Sequence, residues 1–262
     1  MFMKRVMAVV GMLCLAGLGW NASGYQEKPK IRVLILSGMN NHAWRKTSPQ
    51  LRTILEQSGR FDVRINEELL GITSETLAKY DVVLSDYNGP RVDERFEKAL
   101  MEYVAGGKGL ALVHAANNAF TGWDEFDRLI GYAWRQGAYH PSFGPYAVTI
   151  VDSNHPITQG MKDFETTDEM YCNLRRHPEA QFTLLATSIA PTGAVQGMAQ
   201  PMALVAELGR GRMFHTPLGH VMSDEQLVSM KSPGFQAFLL RGLEWAATGQ
   251  VTIPLPEELR KD

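Results

Sequence analysis

The sequence predicts an α/β fold: a parallel sheet with helices packed on both faces. Three observations carry the prediction. Short apolar runs rich in β-branched residues recur from residue 31 to about 130. A helical pattern follows most of them, and Gly, Ser or Pro marks the boundaries. Strands alternating with helices make a parallel sheet, because a parallel neighbour is reached only by a crossover.

The elements follow in order. Residues 31–38, IRVLILSG, read as a buried strand ending in Gly38. In residues 48–59, SPQLRTILEQSG, Ser48 stands as N-cap, Pro49 at the first helical position and Gly59 beyond the last turn. Leu51, Ile54 and Leu55 share one face of that helix. Residues 61–66, FDVRIN, alternate as a strand, and residues 80–86, YDVVLSD, form another buried one. Residues 93–107 form an amphipathic helix closed by glycines. Residues 109–114, GLALVH, form the next strand, and a helix-like pattern runs on from His114 to DEFDRLIG at residues 124–131.

The second half is less regular. Residues 146–152, 182–188, 201–208 and 212–218 read as strands, and Gly209 and Gly211 turn the last two into a hairpin. Residues 232–249 read as a terminal helix capped by Ser232 and closed by Gly249. No repeat or low-complexity tract interrupts this order. The expectation is one domain over residues 31–250, preceded by a polar linker at 25–30 and followed by a tail at 251–262.

Residues 1–24 have another character. Lys4 and Arg5 precede an apolar run to about Trp20, followed by Ala22, Ser23 and Gly24, the layout of a secretory signal peptide. The run is shorter than the roughly 20 residues of a comfortable membrane span. Cleavage, a periplasmic or secreted protein and no stable membrane span are therefore expected. Met12 and Leu13 make a poor lipoprotein cleavage site before Cys14, which disfavours lipid anchoring. Cleavage leaves Cys172 as the one cysteine, so no intramolecular disulfide can form. With a net charge of −2 and no basic block, nucleic-acid binding has no electrostatic footprint. The oligomeric state stays open, a homo-oligomer included.

Most familiar catalytic patterns are absent. There is no GxSxG, P-loop, HExxH or dinucleotide glycine fingerprint, so no nucleotide cofactor is expected. Cys172 is not at a strand end, which argues against Cys nucleophilic catalysis. Ligands of α/β sheets bind just after the strands, which selects residues 38–44, 86–89 and 114–118, and what remains is a set of polar residues in apolar or aromatic settings. These are Asn40, Asn41, His42 and Trp44, then His114 with Asn117 and Asn118, then Asp168, Glu169 and Tyr171, and finally His220. Each has a structural alternative. A lone His after a strand is often a cap or a bonded core residue, and the asparagines can shape turns. His155 and His177 precede prolines, as rigid turns do. His140 suits a turn or a pocket rim, and His215 suits the core or the site. Asp168 and Glu169 are adjacent and diverge on any regular element, so they do not make a glycosidase acid–base pair. Two imidazoles with a carboxylate can bind Zn²⁺ or Mn²⁺, or transfer protons near neutral pH.

Six segments together, VLILSGMNNHAW, KGLALVHAANNAF, NHPITQGM, DEMY, GRGRMFHTPLGH and RGLEWAATG, resemble the trehalose-utilisation ThuA family, in order from about residue 31 to 249. The resemblance implies a flavodoxin-like fold related to class I glutamine amidotransferases, with His114 at the corner where those enzymes carry a catalytic Cys. Loss of that thiol removes thioester chemistry. The resemblance also implies sugar catabolism beside oxidoreductases that make 3-keto-glycosides. A 3-keto group acidifies the C2 hydrogen, so an aglycone can leave by elimination.

The expected function is therefore cleavage of 3-keto-glycosides by lyase or hydrolase chemistry. His114 and His42 would act as base or metal ligands, and His220 as a further imidazole and ligand. Asp168 or Glu169 would act as acid, ligand or orienter. Asn41, Asn118 and Tyr171 would bind sugar hydroxyls or an enolate oxygen, and Trp44 or Trp123 would stack on a sugar face. The alternative is a non-catalytic carbohydrate-binding or partner-binding protein on a degenerate amidotransferase scaffold.

Overall fold

A computed structural model describes residues 29–261. The expected signal peptide, Cys14 and the first part of the expected linker lie outside the described residues. Among the described residues, no helix is long and apolar enough to cross a membrane.

The first half runs β1 (Ile31–Leu36), α1 (Trp44–Gln57), β2 (Phe61–Asn66), α2 (Ser74–Leu77), β3 (Val82–Ser85), α3 (Glu94–Ala105) and β4 (Gly109–Val113). A one-turn 3₁₀ helix, His114–Asn118, and α4 (Asp124–Ile130) follow. The second half holds β5 (Tyr132–Ala133), β6 (Gly144–Ile150), β7 (Phe164–Asp168), β8 (Arg175–Arg176), β9 (Thr183–Ile189), β10 (Ala199–Leu208) and β11 (Gly211–Thr216). It ends with α5 (Val228–Lys231) and α6 (Pro233–Thr248).

Nine strands form one sheet in the order β2-β1-β3-β4-β11-β10-β9-β6-β7. The first five are mutually parallel, in the flavodoxin-like 2-1-3-4-5 order with β11 in fifth place. The other four pair antiparallel, so the parallel expectation holds for one half only. The reason is local. Gly209, at φ +60°, and Arg210 connect β10 to β11, and so short a link joins only antiparallel strands. The parallel strands are buried on both faces. Val33 and Ile35 pack toward α1 and α6, while Leu34 and Leu36 pack toward α3 and α4.

Three boundaries differ from the sequence reading. Helix α1 begins at Trp44, with Pro49 inside it. Ser48 is not its N-cap, because its hydroxyl donates to the buried Asp86 carboxyl (2.5 Å). Ser232 makes no side-chain cap bond to α6. β7 escaped notice because Glu165, Thr166 and Thr167 give it no apolar run. The segment after residue 250 is also packed rather than free. Leu255 and Leu259 are buried, and the Glu244 carboxylate accepts the amides of Thr252 and Ile253.

Candidate functional site

The carboxyl ends of β1, β4, β7 and β11 deliver four side chains to one point. His42 arrives on the loop after β1. Asn40 shapes that loop, its amide donating to the Asp86 carbonyl and its oxygen accepting the His42 backbone N–H (2.9 Å each). This fixes the Asn40 oxygen toward His42 Nδ1 (3.1 Å), so Nδ1 carries the proton and Nε2 a lone pair. Asn41 Oδ1 lies 2.9 Å from the same Nδ1.

His114 ends β4 at φ +45°, an uncommon conformation for a residue with a Cβ. Its Nδ1–H donates to the Pro217 carbonyl (2.7 Å), which leaves Nε2 unprotonated. That nitrogen lies 3.1 Å from His220 Nδ1 and 3.8 Å from Glu169 Oε2. His220 Nδ1 is in turn 3.1 Å from the same Glu169 oxygen. The other Glu169 oxygen is 3.0 Å from His140 Nδ1. One ligating atom from each of His42, His114, Glu169 and His220 lies within 4.8 Å of the others. Donor atoms on a tetrahedral Zn²⁺ stand roughly 3.3–3.6 Å apart, given bonds of about 2.0–2.2 Å. The donor types suit a divalent cation, and the spacing, 4.8 Å at its widest, would tighten around one.

Burial favours the neutral form of His42 and His114. It lowers His42 to about 4, and neighbouring His220 adds repulsion. It lowers His114 well below the usual imidazole range, with His42 and His220 acting in the same sense. The Tyr171 phenol, its ring 4.2 Å from that of His114, is pushed well above its ordinary value by burial.

His42, Glu169 and His220 line a cleft of about 570 Å³, and His114 lies buried against the last two rather than on its wall. Asn41, Asn118 and Tyr171 also line the cleft. Trp134 and Phe143 form its aromatic wall, and Asn88 and His140 stand on it as well. Trp134 and Phe143 sit in the aromatic-rich stretch between the polar motifs, a weak signal. Asn88 falls within residues 86–89, just after β3, where the strand-end rule places a ligand.

Three expected site residues are placed elsewhere. Trp123 is buried in the core, stacked on Phe126 (5.3 Å), because its indole completes the apolar seam of α4. Trp44 begins α1 under the Arg45 guanidinium (4.1 Å) and is not among the residues lining the cleft. Asp168 is fully buried, and its carboxyl accepts three backbone amides: Glu169 (2.7 Å), Gly219 (2.7 Å) and His220 (3.0 Å). Burial raises it to about 7 against those bonds. Of the adjacent acids, Glu169 reaches the cleft and Asp168 does not.

The strand order and this cleft define a flavodoxin-like α/β protein with a histidine–glutamate centre able to hold a metal. The chain belongs to the ThuA family, described as trehalose utilisation, whose model matches residues 32–246. It is similar to a ThuA-like protein from Parabacteroides merdae, at 31% identity and TM-score 0.79, covering 89% of this chain and 95% of that one. A ThuA-like protein from Bacteroides uniformis shares the fold at 20% identity and TM-score 0.63, covering 89% and 98%. A cytoplasmic protein of Salmonella typhimurium shares it at 12% identity and TM-score 0.58, covering 83% and 100%. No curated protein matches the chain.

Proposed function

We propose that the protein cleaves 3-keto-glycosides. The observation that carries this reading is a cleft walled by carboxamides and aromatic rings, lined by His42, Glu169 and His220, with His114 buried against the last two. A neutral glycoside needs such walls, with polar groups for its hydroxyls and ring faces for its carbons. Only one carboxylate lines this cleft, against the two that a typical glycosidase uses.

A 3-keto sugar does not require that pair. Its C2–H bond breaks toward a base and the electrons pass to the C3 oxygen. As they return, the C1=C2 bond forms, the C1–O bond breaks and the aglycone leaves as an alcohol after taking a proton. No oxidant is consumed, and addition of water to the double bond completes hydrolysis. His114 Nε2, held unprotonated by Pro217, is the base. His220 and Glu169 pass the proton toward the leaving oxygen. Asn41, Asn118 and the Tyr171 hydroxyl hold sugar hydroxyls and the C3 oxygen, and Trp134 stacks on the ring.

A Zn²⁺ or Mn²⁺ held by His42, His114, Glu169 and His220 would supply positive charge for the developing enolate. Ligation and proton transfer exclude one another at any one lone pair, so dependence on metal separates the two uses. An export signal over residues 1–24 would put the reaction in the periplasm or outside the cell.

The test incubates the chain from residue 25 with 3-keto-glucosides and 3-keto-trehalose, with and without chelator, beside His114→Ala. Aglycone release that depends on His114 supports the reading, and chelator sensitivity assigns the cation its part. Tight sugar binding without release would instead identify a carbohydrate-binding protein.

A further inference from the structure

Glu169 and His220 belong to distant parts of the sheet. Glu169 follows β7, the edge strand, and His220 follows β11, with β10, β9 and β6 between them. Their side chains nonetheless stand 3.1 Å apart. No bond within the sheet sets that distance. What links the two backbones directly is one buried carboxyl. Asp168 Oδ1 accepts the amides of both Glu169 and His220, and Oδ2 accepts that of Gly219. Gly219 adopts φ +109°, so the loop presents two successive N–H groups to the carboxyl, and an added Cβ there would lie 2.8 Å from the Phe235 ring.

We propose that Asp168 is a positioning residue, a brace that sets the register of His220 against Glu169 and closes the β7 edge onto the loop after β11. It rests on the reading of the histidine–glutamate cluster as the working site. The geometry asks for a carboxylate. Three amide donors converge on two acceptor oxygens, and an amide side chain would set its NH₂ against at least one of them. Two site residues hang from this group by their own backbone nitrogens, so its loss is felt at both.

The experiment compares Asp168→Asn with the unaltered chain from residue 25 and with Glu244→Gln, a control that removes a buried carboxylate brace from the far part of α6. Histidine ring ¹⁵N resonances are recorded without metal, and Co²⁺ affinity is measured well below each melting temperature. The brace predicts that Asp168→Asn shifts the His114 and His220 ring signals and leaves His215 in place. It also predicts Co²⁺ binding weakened about tenfold or more, in the range seen when outer partners of metal ligands are lost. Glu244→Gln, though less stable, should change neither. Unmoved ring signals in a folded Asp168→Asn would overturn the proposal. If Asn does not fold, Asp168→Ser, too short to span the three amides, gives the same reading. Absence of Co²⁺ binding by the unaltered protein counts against the metal reading alone, since the ring signals still decide the brace.

Discussion

Two buried histidines on neighbouring strands are used in opposite ways. His215 lies within β11, paired in register with Leu112 of β4. Its Nδ1–H donates to the Ile130 carbonyl (3.1 Å), and its Nε2 accepts from the Asn117 amide (3.3 Å). Both nitrogens are satisfied within the fold. His114, two residues beyond Leu112, is nearly as buried, but the backbone uses only its Nδ1. Its Nε2 is left facing His220 and Glu169. Burial holds both rings below the usual imidazole range, so neither burial nor acidity tells them apart. The difference is in the partners: the rest of the fold closes both nitrogens of His215, whereas His114 Nε2 meets only other members of the cluster.

The widest separation should come from substituting the two rings. His114→Asn, a residue that tolerates left-handed backbone, should cut turnover by about 10²–10⁴-fold with little change in melting temperature. His215→Ala should do the reverse. It should cost about 2–4 kcal/mol, since it opens a cavity and strands a carbonyl and an amide, and it should leave kcat within a few-fold. Equal losses of activity in the two variants would erase the distinction.

Acid should act through both groups. Burial lowers His215 and His42 to about 4 each, whereas an unfolded chain protonates them near 6.5. The unfolded state therefore binds more protons between those values. Stability should fall as pH drops from about 6.5 to about 4, by up to roughly 3 kcal/mol per group. Urea denaturation at pH 7 and pH 4.5 checks this, and His215→Leu should remove its share of the acid loss.

The two tryptophans extend the comparison. Trp123→Leu, in the core, should cost roughly 1–3 kcal/mol and leave KM unchanged. Trp134→Leu, on the cleft wall, should raise KM with little loss of stability. The smallest effect belongs to Asn117→Ala, about 1 kcal/mol, measured by thermal melting, because His215 keeps its bond to Ile130.

Much of this was legible in the sequence. Strand and helix alternation gave the parallel half, and the strand-end rule picked out His42 and His114 with Asn41, Asn88 and Asn118. His220 and Tyr171 stood out only as polar motifs among apolar and aromatic residues. The antiparallel half was not legible as such, because the place of a strand in a sheet depends on partners far along the chain. For the same reason Glu169 could not be separated from Asp168: adjacent residues diverge, but which one faces the cleft depends on how the sheet edge closes. Trp123 misled because an aromatic beside polar motifs reads the same whether it walls a cleft or seals a core. His140 was legible only as turn or rim, and its approach to Glu169 is a tertiary fact.

The most direct test of the central claim, that the working site is marked by imidazole nitrogens that face only one another and Glu169, is a Co²⁺ titration followed by visible absorption. The protein should bind one equivalent with nitrogen-rich d–d bands, His114→Ala should lose it, and His215→Leu should keep it. No saturable Co²⁺ band, or one that survives in His114→Ala, would contradict the account.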